Sequence, residues 1–345
     1  MSVSVIIPLY NGEPWIGQAL DSVFTQELYP EKVIVVDDGS TDASVEIVRN
    51  DYPNVKLIPN EGKGSSIARN IGLREVSTKY VAFLDQDDLW HPSHLRLLVN
   101  SLEQNPEANT AVAEANCFSG DTPNYQLSNA PVRFFDPWTR YPFTIGIDGP
   151  SLALHRTDIL PTVGLWEECA TGMGDALIFL KLAVLHPILR ISACTVGKRI
   201  HDSQQWLAVR ELGGAYLGFR YQVMQRALEF RRRHVHSSTD LQHYERRLES
   251  LISLKNLNNV IEAESFEELP PIALELESLI GTESVEYLPH VFYCLMGALF
   301  KTHDAEELRK LRDEVFTRLL DYWPEDAPAT LNAMRGIIGE LPHVS

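Results

Sequence analysis

Short runs of aliphatic and β-branched residues alternate with stretches of helical period through the first hundred positions. Val3–Tyr10 (VSVIIPLY) reads as a buried strand, after which Trp15, Ile16, Ala19, Leu20 and Val23 mark one face of a helix. Lys32–Asp38 (KVIVVDD) is a second strand, followed by a helix around Val45, Ile47 and Val48. Val55–Asn60 is a third, with a helix over Ile67–Glu75, and Tyr80–Asp85 (YVAFLD) is a fourth. Unbroken apolar strands suit a sheet covered on both faces, and strand–helix alternation predicts βαβ units in an α/β, mostly parallel sheet with helices on both faces. Ligands of such sheets bind beyond the carboxyl ends of the strands. Polar residues collect at those ends: Asn11 after the first strand, Asp37 and Asp38 after the second, and Asp85-Gln86-Asp87-Asp88 after the fourth.

Further along, the pattern changes twice. Phe118–Gly149 is rich in Pro, Asn and aromatic residues and reads as loops with short strands, and helical period returns over Asp175–Leu185. From Leu207 onward strand signals fade into long Leu- and Glu-rich helical patterns, broken near Ser237, Pro270-Pro271 and Pro289. The expected division is therefore an α/β domain over residues 1–206 and a helical C-terminal region over 207–345, within a length typical of two domains.

Charge narrows the function classes. Lys plus Arg number 30 against 47 Asp plus Glu, a formal charge of −17, which argues against nucleic acid as a partner. The four cysteines, Cys117, Cys169, Cys194 and Cys294, are scattered with no Cys-x-x-Cys pair, so neither a disulfide framework nor a zinc site is expected. MSVSVIIPLY carries no basic leader, and no apolar run reaches membrane-spanning length, so the expectation is a soluble, cytoplasmic protein.

The aspartates carry the chemistry. Asp85 and Asp87 sit two residues apart, so in extended geometry they point to one side and form a hard-cation site that phosphate oxygens could complete. The plain alternative is a solvated acidic loop, with Asp88 capping a helix that begins near Pro92. In DDGSTD, Asp37–Asp42, Gly39 permits a tight turn and Ser40, Thr41 and Asp42 offer helix caps, but two adjacent acids at a strand end need another reason. A carboxylate there can accept the imide N–H of uracil.

Taken together, VSVIIPLYNGEPWIGQALDSVFTQ, VIVVDDGSTD, ARNIG (Ala68–Gly72) and YVAFLDQDD resemble the family 2 glycosyltransferases over roughly the first 205 residues. The resemblance implies a GT-A (Rossmann-like) fold, a nucleotide-diphospho-sugar donor and a metal ion, Mn²⁺ or Mg²⁺, held by a DxD motif. It implies that Pro8, Tyr10 and Glu13 surround the base and ribose, that Asp38 sits at the uracil, and that Arg69 lies near the diphosphate or the DxD carboxylates. Asp85 and Asp87 match the DxD pair, and Asp175 matches the catalytic base of an inverting enzyme, with an N-cap as the alternative role. Relatives more often carry Glu-Asp where this chain has Gly174-Asp175, so a role for that Glu is absent or passes to Glu167 or Glu168. Val196–Trp206 (VGKRIHDSQQW) resembles the stretch that closes such domains, making Arg199 a diphosphate contact and His201 a third metal ligand or a diphosphate contact.

The implied reaction is a hexosyl transfer from a nucleotide-diphospho-sugar, a UDP-sugar by the Asp38 argument, to a glycan or lipid-linked acceptor in polysaccharide biosynthesis. Trp90, Trp138, Trp166 and Tyr141 could stack on sugars or simply fill core. Arg220–His234 places Tyr221, Met224, Ala227 and Leu228 on one helical face with arginines elsewhere. That suits either a peripheral contact with the inner face of a membrane or a solvated face paired with acidic residues. The C-terminal helices also offer a surface for a homo-oligomer. Two other readings stand beside this one: a non-catalytic nucleotide-sugar-binding scaffold, and a haloacid-dehalogenase-type phosphatase, which leaves DDGSTD unexplained.

Overall fold

The computed structural model describes residues 2–60, 64–120, 122–127, 132–139, 149–167, 174–201, 214–235, 241–242 and 244–245, with backbone alone for 214–220. Strand β1 (Val3–Leu9) is buried along its whole length and lies parallel between β2 (Lys32–Asp37) and β4 (Tyr80–Phe83). Strand β3 (Lys56–Pro59) adds outside β2, also parallel. Helices α1 (Ile16–Phe24), α2 (Ser44–Asp51) and α3 (Ser65–Leu73) make the crossovers, so this half is the βαβ array that the apolar pattern predicts. Helix α3 packs against the side chains of β1 closely enough that a Cβ on Gly72 would lie 2.6 Å from Ile6 Cγ2. Leu9 pairs with Asp37 in register, so the polar residues that follow β1 and β2 emerge side by side at one edge.

Beyond β4 the sheet becomes mixed. Its order is β3-β2-β1-β4-β8-β6-β9-β5, where β8 (Ala153–Arg156) is antiparallel to both β4 and β6 (Thr110–Phe118). Strand β9 (Ile188–Arg199) runs parallel to β6 with register shifts on either side of Glu114. The short strands β5 (Leu89–Trp90) and β7 (Arg133–Phe135) pair antiparallel with opposite ends of β9. Helix α4 (His94–Gln104) packs on β6, β8 and β9, and α5 (Gly174–Leu185) leads into β9. The apolar pattern does not announce these strands, because β6 reads TAVAEANCF and mixes Ala, Glu and Asn among few β-branched residues.

The chain divides into two compact units, Met1–Thr139 with Thr144–Gln204, and Arg140–Phe143 with Gln205–Ser345. In the second unit, α6 (Gly214–His234) buries Val223, Met224, Ala227 and Leu228. Its arginines have acidic and aromatic neighbours: Arg232 Nη2 lies 2.6 Å from Glu245 Oε1, and Arg231 stands 4.5 Å over the Tyr244 ring. The remaining helices expected over 207–345 lie outside the described residues. Cys194 is a buried free thiol, Cys117 is exposed, and Cys169 and Cys294 lie outside that range. No described helix is long and apolar enough to cross a membrane.

Candidate active site

The edge where β1 and β2 end is built from backbone clamps. Asn11 adopts a left-handed conformation (φ 47°); its Oδ1 accepts from Thr41 N (2.8 Å), and its N–H donates to Ser40 Oγ (3.0 Å). Gln86, the residue between Asp85 and Asp87, grips Tyr10 twice: Tyr10 N donates to Gln86 Oε1 (2.8 Å) and Gln86 Nε2 donates to Tyr10 O (2.9 Å). Gly12 makes room for that grip, since a Cβ there would fall 2.6 Å from Gln86 Oε1. The Tyr10 ring is left 52% exposed at the mouth of the edge. Pro8 is buried within β1 opposite Val36. Glu13 Oε2 accepts from Ala43 N (3.1 Å), capping the start of α2, while Glu13 N donates to Asp42 Oδ2 (3.0 Å). Asp38 is held from both sides, Oδ1 by Asn60 Nδ2 and Oδ2 by Gly64 N, each at 2.7 Å. Asp37 Oδ1 accepts from Ser40 N (3.0 Å) and closes the turn.

At the end of β4 the character is different, because charges are gathered there. Arg69, on α3 and only 4% exposed, donates from Nη2 to Asp85 Oδ1 (2.7 Å) and from Nη1 to Asp175 Oδ1 (3.2 Å). Its guanidinium also lies 4.8 Å over the Trp166 ring, and the next residue, Asn70, fixes that ring's backbone. Asn70 Nδ2 donates to Trp166 O (2.7 Å) and Trp166 N donates to Asn70 Oδ1 (3.0 Å). The ARNIG segment thus acts residue by residue: Arg69 bridges two acids, Asn70 holds the aromatic wall, and Gly72 seats the helix on β1. Burial opposes the Arg69 charge, but Asp175 and Asp85 outweigh it and hold its pKa above the usual value. Burial pushes the Asp175 carboxyl up, with Arg69 pulling against it, so the helix-start aspartate is more basic than an ordinary carboxylate.

Asp88 does not cap α4, whose preceding residue is Ser93. It is 1% exposed and pairs with Lys198 Nζ at 3.5 Å. Burial, with smaller contributions from Asp85 and Asp87, pushes its carboxyl up to about 7 against the pull of Lys198. Burial likewise opposes the Lys198 charge, yet Asp88, Asp85, Asp87 and Asp175 together hold its pKa above the usual value. Sequence reasoning passed over Lys198, because its partners lie more than a hundred residues away except Asp175. The signal available was a second basic residue beside Arg199.

The end of β9 also supplies Arg199 and His201. Arg199 turns inward: Nε donates to the Asp87 carbonyl (3.2 Å), Nη1 to Gly120 O (2.5 Å) and Nη2 to Gln18 Oε1 (2.5 Å), with the guanidinium 4.6 Å over Phe118. The arrangement places Arg199 under Asp87 as a backbone anchor. His201 Nε2 lies 2.9 Å from Asp87 Oδ2, and its ring stacks on Trp15 at 4.0 Å. Asp87 and His201 are therefore two donors of metal-binding type side by side, though among the described residues no three such side chains converge. A diphosphate oxygen could complete the shell, so the pair fits a hard or borderline cation shared with a ligand.

Trp90 and Trp138 are buried, donating their indole N–H groups to Ser151 O and Leu180 O at 2.8 Å. Trp166 packs edge-on to Phe83. These three are core; Tyr141 and Glu168 lie outside the described residues. Glu167 pairs with Lys181 of α5, and a Cβ on Gly174 would meet Ser66 Oγ at 2.9 Å. Glu167 thus serves α5 rather than standing in beside Asp175.

Comparisons with known proteins agree with this architecture. Residues 4–164 match the family model described as glycosyl transferase family 2. The uncharacterized glycosyltransferase YibD of Escherichia coli K12 is 36% identical over 151 residues, covering 40% of this chain and 43% of that protein. The minor teichoic acid biosynthesis protein GgaA of Bacillus subtilis 168 is 31% identical over 219 residues, covering 59% and 47%. The chain thus spans less than half the length of these curated relatives. Among solved structures, S. aureus TarS 1-349 in complex with UDP-GlcNAc gives a TM-score of 0.58 at 20% identity, covering 93% of this chain and 89% of that one. The mannosyltransferase PcManGT from Pyrobaculum calidifontis, in complex with GDP-Man and Mn²⁺, gives 0.51 at 17% identity, covering 98% and 87%. The fold is of the GT-A type, and the N-terminal segment is similar to family 2 glycosyltransferases.

Proposed function

We propose that residues 1–206 form the catalytic domain of a family 2, inverting glycosyltransferase. It moves a hexose from a nucleotide-diphospho-sugar, a UDP-sugar, to a hydroxyl of a glycan or lipid-linked acceptor. One observation carries the reading: Arg69 joins Asp85 and Asp175, acids from two distant stretches, into one site beside Asp87 at the sheet edge where such folds bind ligands. The similarity to a teichoic acid biosynthesis protein, and to a structure holding UDP-GlcNAc, supports the donor and acceptor classes. We assign residues 207–345 to acceptor, membrane-surface or self-association contacts on the cytoplasmic side.

In this reading Tyr10, presented by the Gln86 clamp, and Asp38 line the base and ribose pocket, and Asp38 selects uracil by accepting its imide N–H. Pro8 and Glu13 shape the pocket by fixing β1 and the start of α2. Arg69 lies between donor and base, so its charge serves the diphosphate while it orients Asp175. Mn²⁺ or Mg²⁺ held by Asp87 and His201, with Asp85 adjacent, would offset charge on the departing diphosphate. Asp175 takes the proton of the acceptor hydroxyl as that oxygen bonds to the anomeric carbon. The glycosidic electron pair leaves with the diphosphate, and the anomeric centre inverts.

The test is twofold. UDP with Mn²⁺ should raise the unfolding temperature more than ADP or GDP with Mn²⁺, as ligand linkage requires. UDP release from UDP-hexoses should depend on divalent metal. Equal shifts for the three nucleotides would remove the role of Asp38, and no turnover of any nucleotide sugar would sink the transferase reading.

A further inference from the structure

Lys198 is a cation enclosed by acids. Its ammonium lies 3.5 Å from Asp88 Oδ2, and Asp85, Asp87 and Asp175 all act on its charge. Gly149 is what admits it: a Cβ there would stand 2.9 Å from Lys198 Nζ and 3.8 Å from Asp85 Oδ2. The ammonium and the first DxD carboxylate therefore face the same small space. Lys198 is the penultimate residue of β9, and its neighbour Arg199 is spent on Gly120, Gln18 and the Asp87 carbonyl. Being adjacent on a strand, the two side chains leave on opposite faces, so one base braces the loop from behind and the other enters the cluster.

Charge arithmetic within the cluster points to a task beyond balancing Asp88. Asp85, Asp87, Asp88 and Asp175 face Arg69 and Lys198, and the cluster keeps net negative charge that would repel a diphosphate. Arg69 already divides its donors between Asp85 and Asp175. The ammonium of Lys198 has three rotatable donors on a flexible stem and stands 3.5 Å from Asp88 Oδ2, within reach of the space beside Asp85.

We propose that Lys198 is a resident cation of the donor site, turning from Asp88 to a diphosphate oxygen and giving the site affinity for a nucleoside diphosphate without any metal. This rests on the donor-site reading above and adds to it a residue that binds the leaving group directly. Gly149, whose φ of 109° favours glycine, leaves room at that place, and a Cβ there would have to displace the ammonium.

Calorimetric titration of the full chain with UDP, and with uridine as a phosphate-free control, tests this in EDTA and in Mn²⁺. The intact protein should bind UDP in EDTA more tightly than uridine. Lys198→Met should lower UDP affinity in EDTA by about ten- to a hundredfold, and by less in Mn²⁺, while uridine binding stays unchanged. Lys198→Arg should retain most of the EDTA affinity. The double variant Asp88→Asn/Lys198→Met removes the pair together, leaving no orphaned acid to unfold the site, and should show the same loss. Unchanged UDP affinity in EDTA for both Met variants would overturn the proposal. So would an intact protein that binds UDP only with Mn²⁺. An intact protein that binds neither UDP nor uridine under either condition overturns the donor-site reading itself, a separate outcome.

Discussion

The two flanks of the candidate site are held in opposite ways. On the β1–β2 flank these ties are hydrogen bonds with no ion pair among them: Gln86 on Tyr10, Asn11 on Thr41, Glu13 on Ala43, and Asn60 and Gly64 on Asp38. On the β4–β9 flank, charged side chains hold one another: Arg69 with Asp85 and Asp175, and Lys198 with Asp88, while the His201 imidazole sits against Asp87. In the proposed reading the first flank receives a base and ribose, which need shape that hydrogen-bonded loops supply. A leaving diphosphate needs charge that is present before it arrives, and such charge must be stored against its own counter-ions. The difference predicts that the first flank governs which donor binds and the second governs whether it reacts.

The largest effect that could break this division comes from Asp175→Asn. The amide keeps size and capping ability but cannot take a proton, so turnover should fall by roughly two to four orders of magnitude with UDP affinity near normal. Near-normal turnover at saturating acceptor would leave Asp175 as a cap. Arg69→Met should instead show in stability, losing about 2 kcal/mol by chemical denaturation. That is less than the roughly 3–5 kcal/mol of a fully buried pair, because Asp85 and Asp175 keep about a quarter of their side chains exposed. A loss under half a kcal/mol would mean the bridge does not organise the second flank.

Acid sensitivity near pH 6 should belong to the second half of the sheet, since no histidine precedes His91 in the sequence. His94 and His155 are fully buried, bonded to Thr195 and Thr110, and burial lowers both to about 3. Below about pH 6.5 the unfolded chain takes up protons that these residues refuse, so stability present above 6.5 is lost as pH falls toward 3. Asp88, held near 7, works with the opposite sign over the same window, because the folded state holds the extra proton. The two buried histidines lower stability as the pH falls from 6 to 5, while Asp88 and Asp175, both raised by burial, oppose that loss. His155→Gln should flatten that slope in urea titrations, and a slope unchanged by the substitution would place the sensitivity elsewhere. The smallest effect concerns the first flank. Gly12→Ala pushes a Cβ into Gln86 and should weaken UDP binding about five- to tenfold with turnover at saturation intact. A fall in saturated turnover instead would merge the two flanks.

Much of this was written in the pattern of residues, and the reason is locality. Strands β1 to β4 and their helices are legible because each is a contiguous apolar run followed by a periodic segment. Arg69, Asp85 and Asp87 could be singled out from motifs in that array and Asp175 from a helix start further on, and the fold brings Arg69 to Asp85 and Asp175. Strands β6, β8 and β9 were not legible. Their pairings are antiparallel or shifted at Glu114, and their residues mix small and polar types. Lys198 and the inward turn of Arg199 were invisible for a related reason: their partners, Asp88 and the Asp87, Gly120 and Gln18 oxygens, are distant in sequence and chosen by the fold. Asp88 looked like a helix cap because nothing nearby in the chain announces that it is buried.

The grip of Gln86 on Tyr10 bears on how this sequence can drift. Gln86 lies between Asp85 and Asp87, and its amide meets both polar atoms of the Tyr10 backbone and fills the space a side chain at position 12 would need. A descendant that exchanged Gln86 for a small residue would release position 12 to accept alanine and would lose the fixed seat of Tyr10 in the same step. A change at position 12 alone would be resisted. Positions 10, 12 and 86 should therefore travel through a lineage as one inherited unit, although the chain separates them by more than seventy residues.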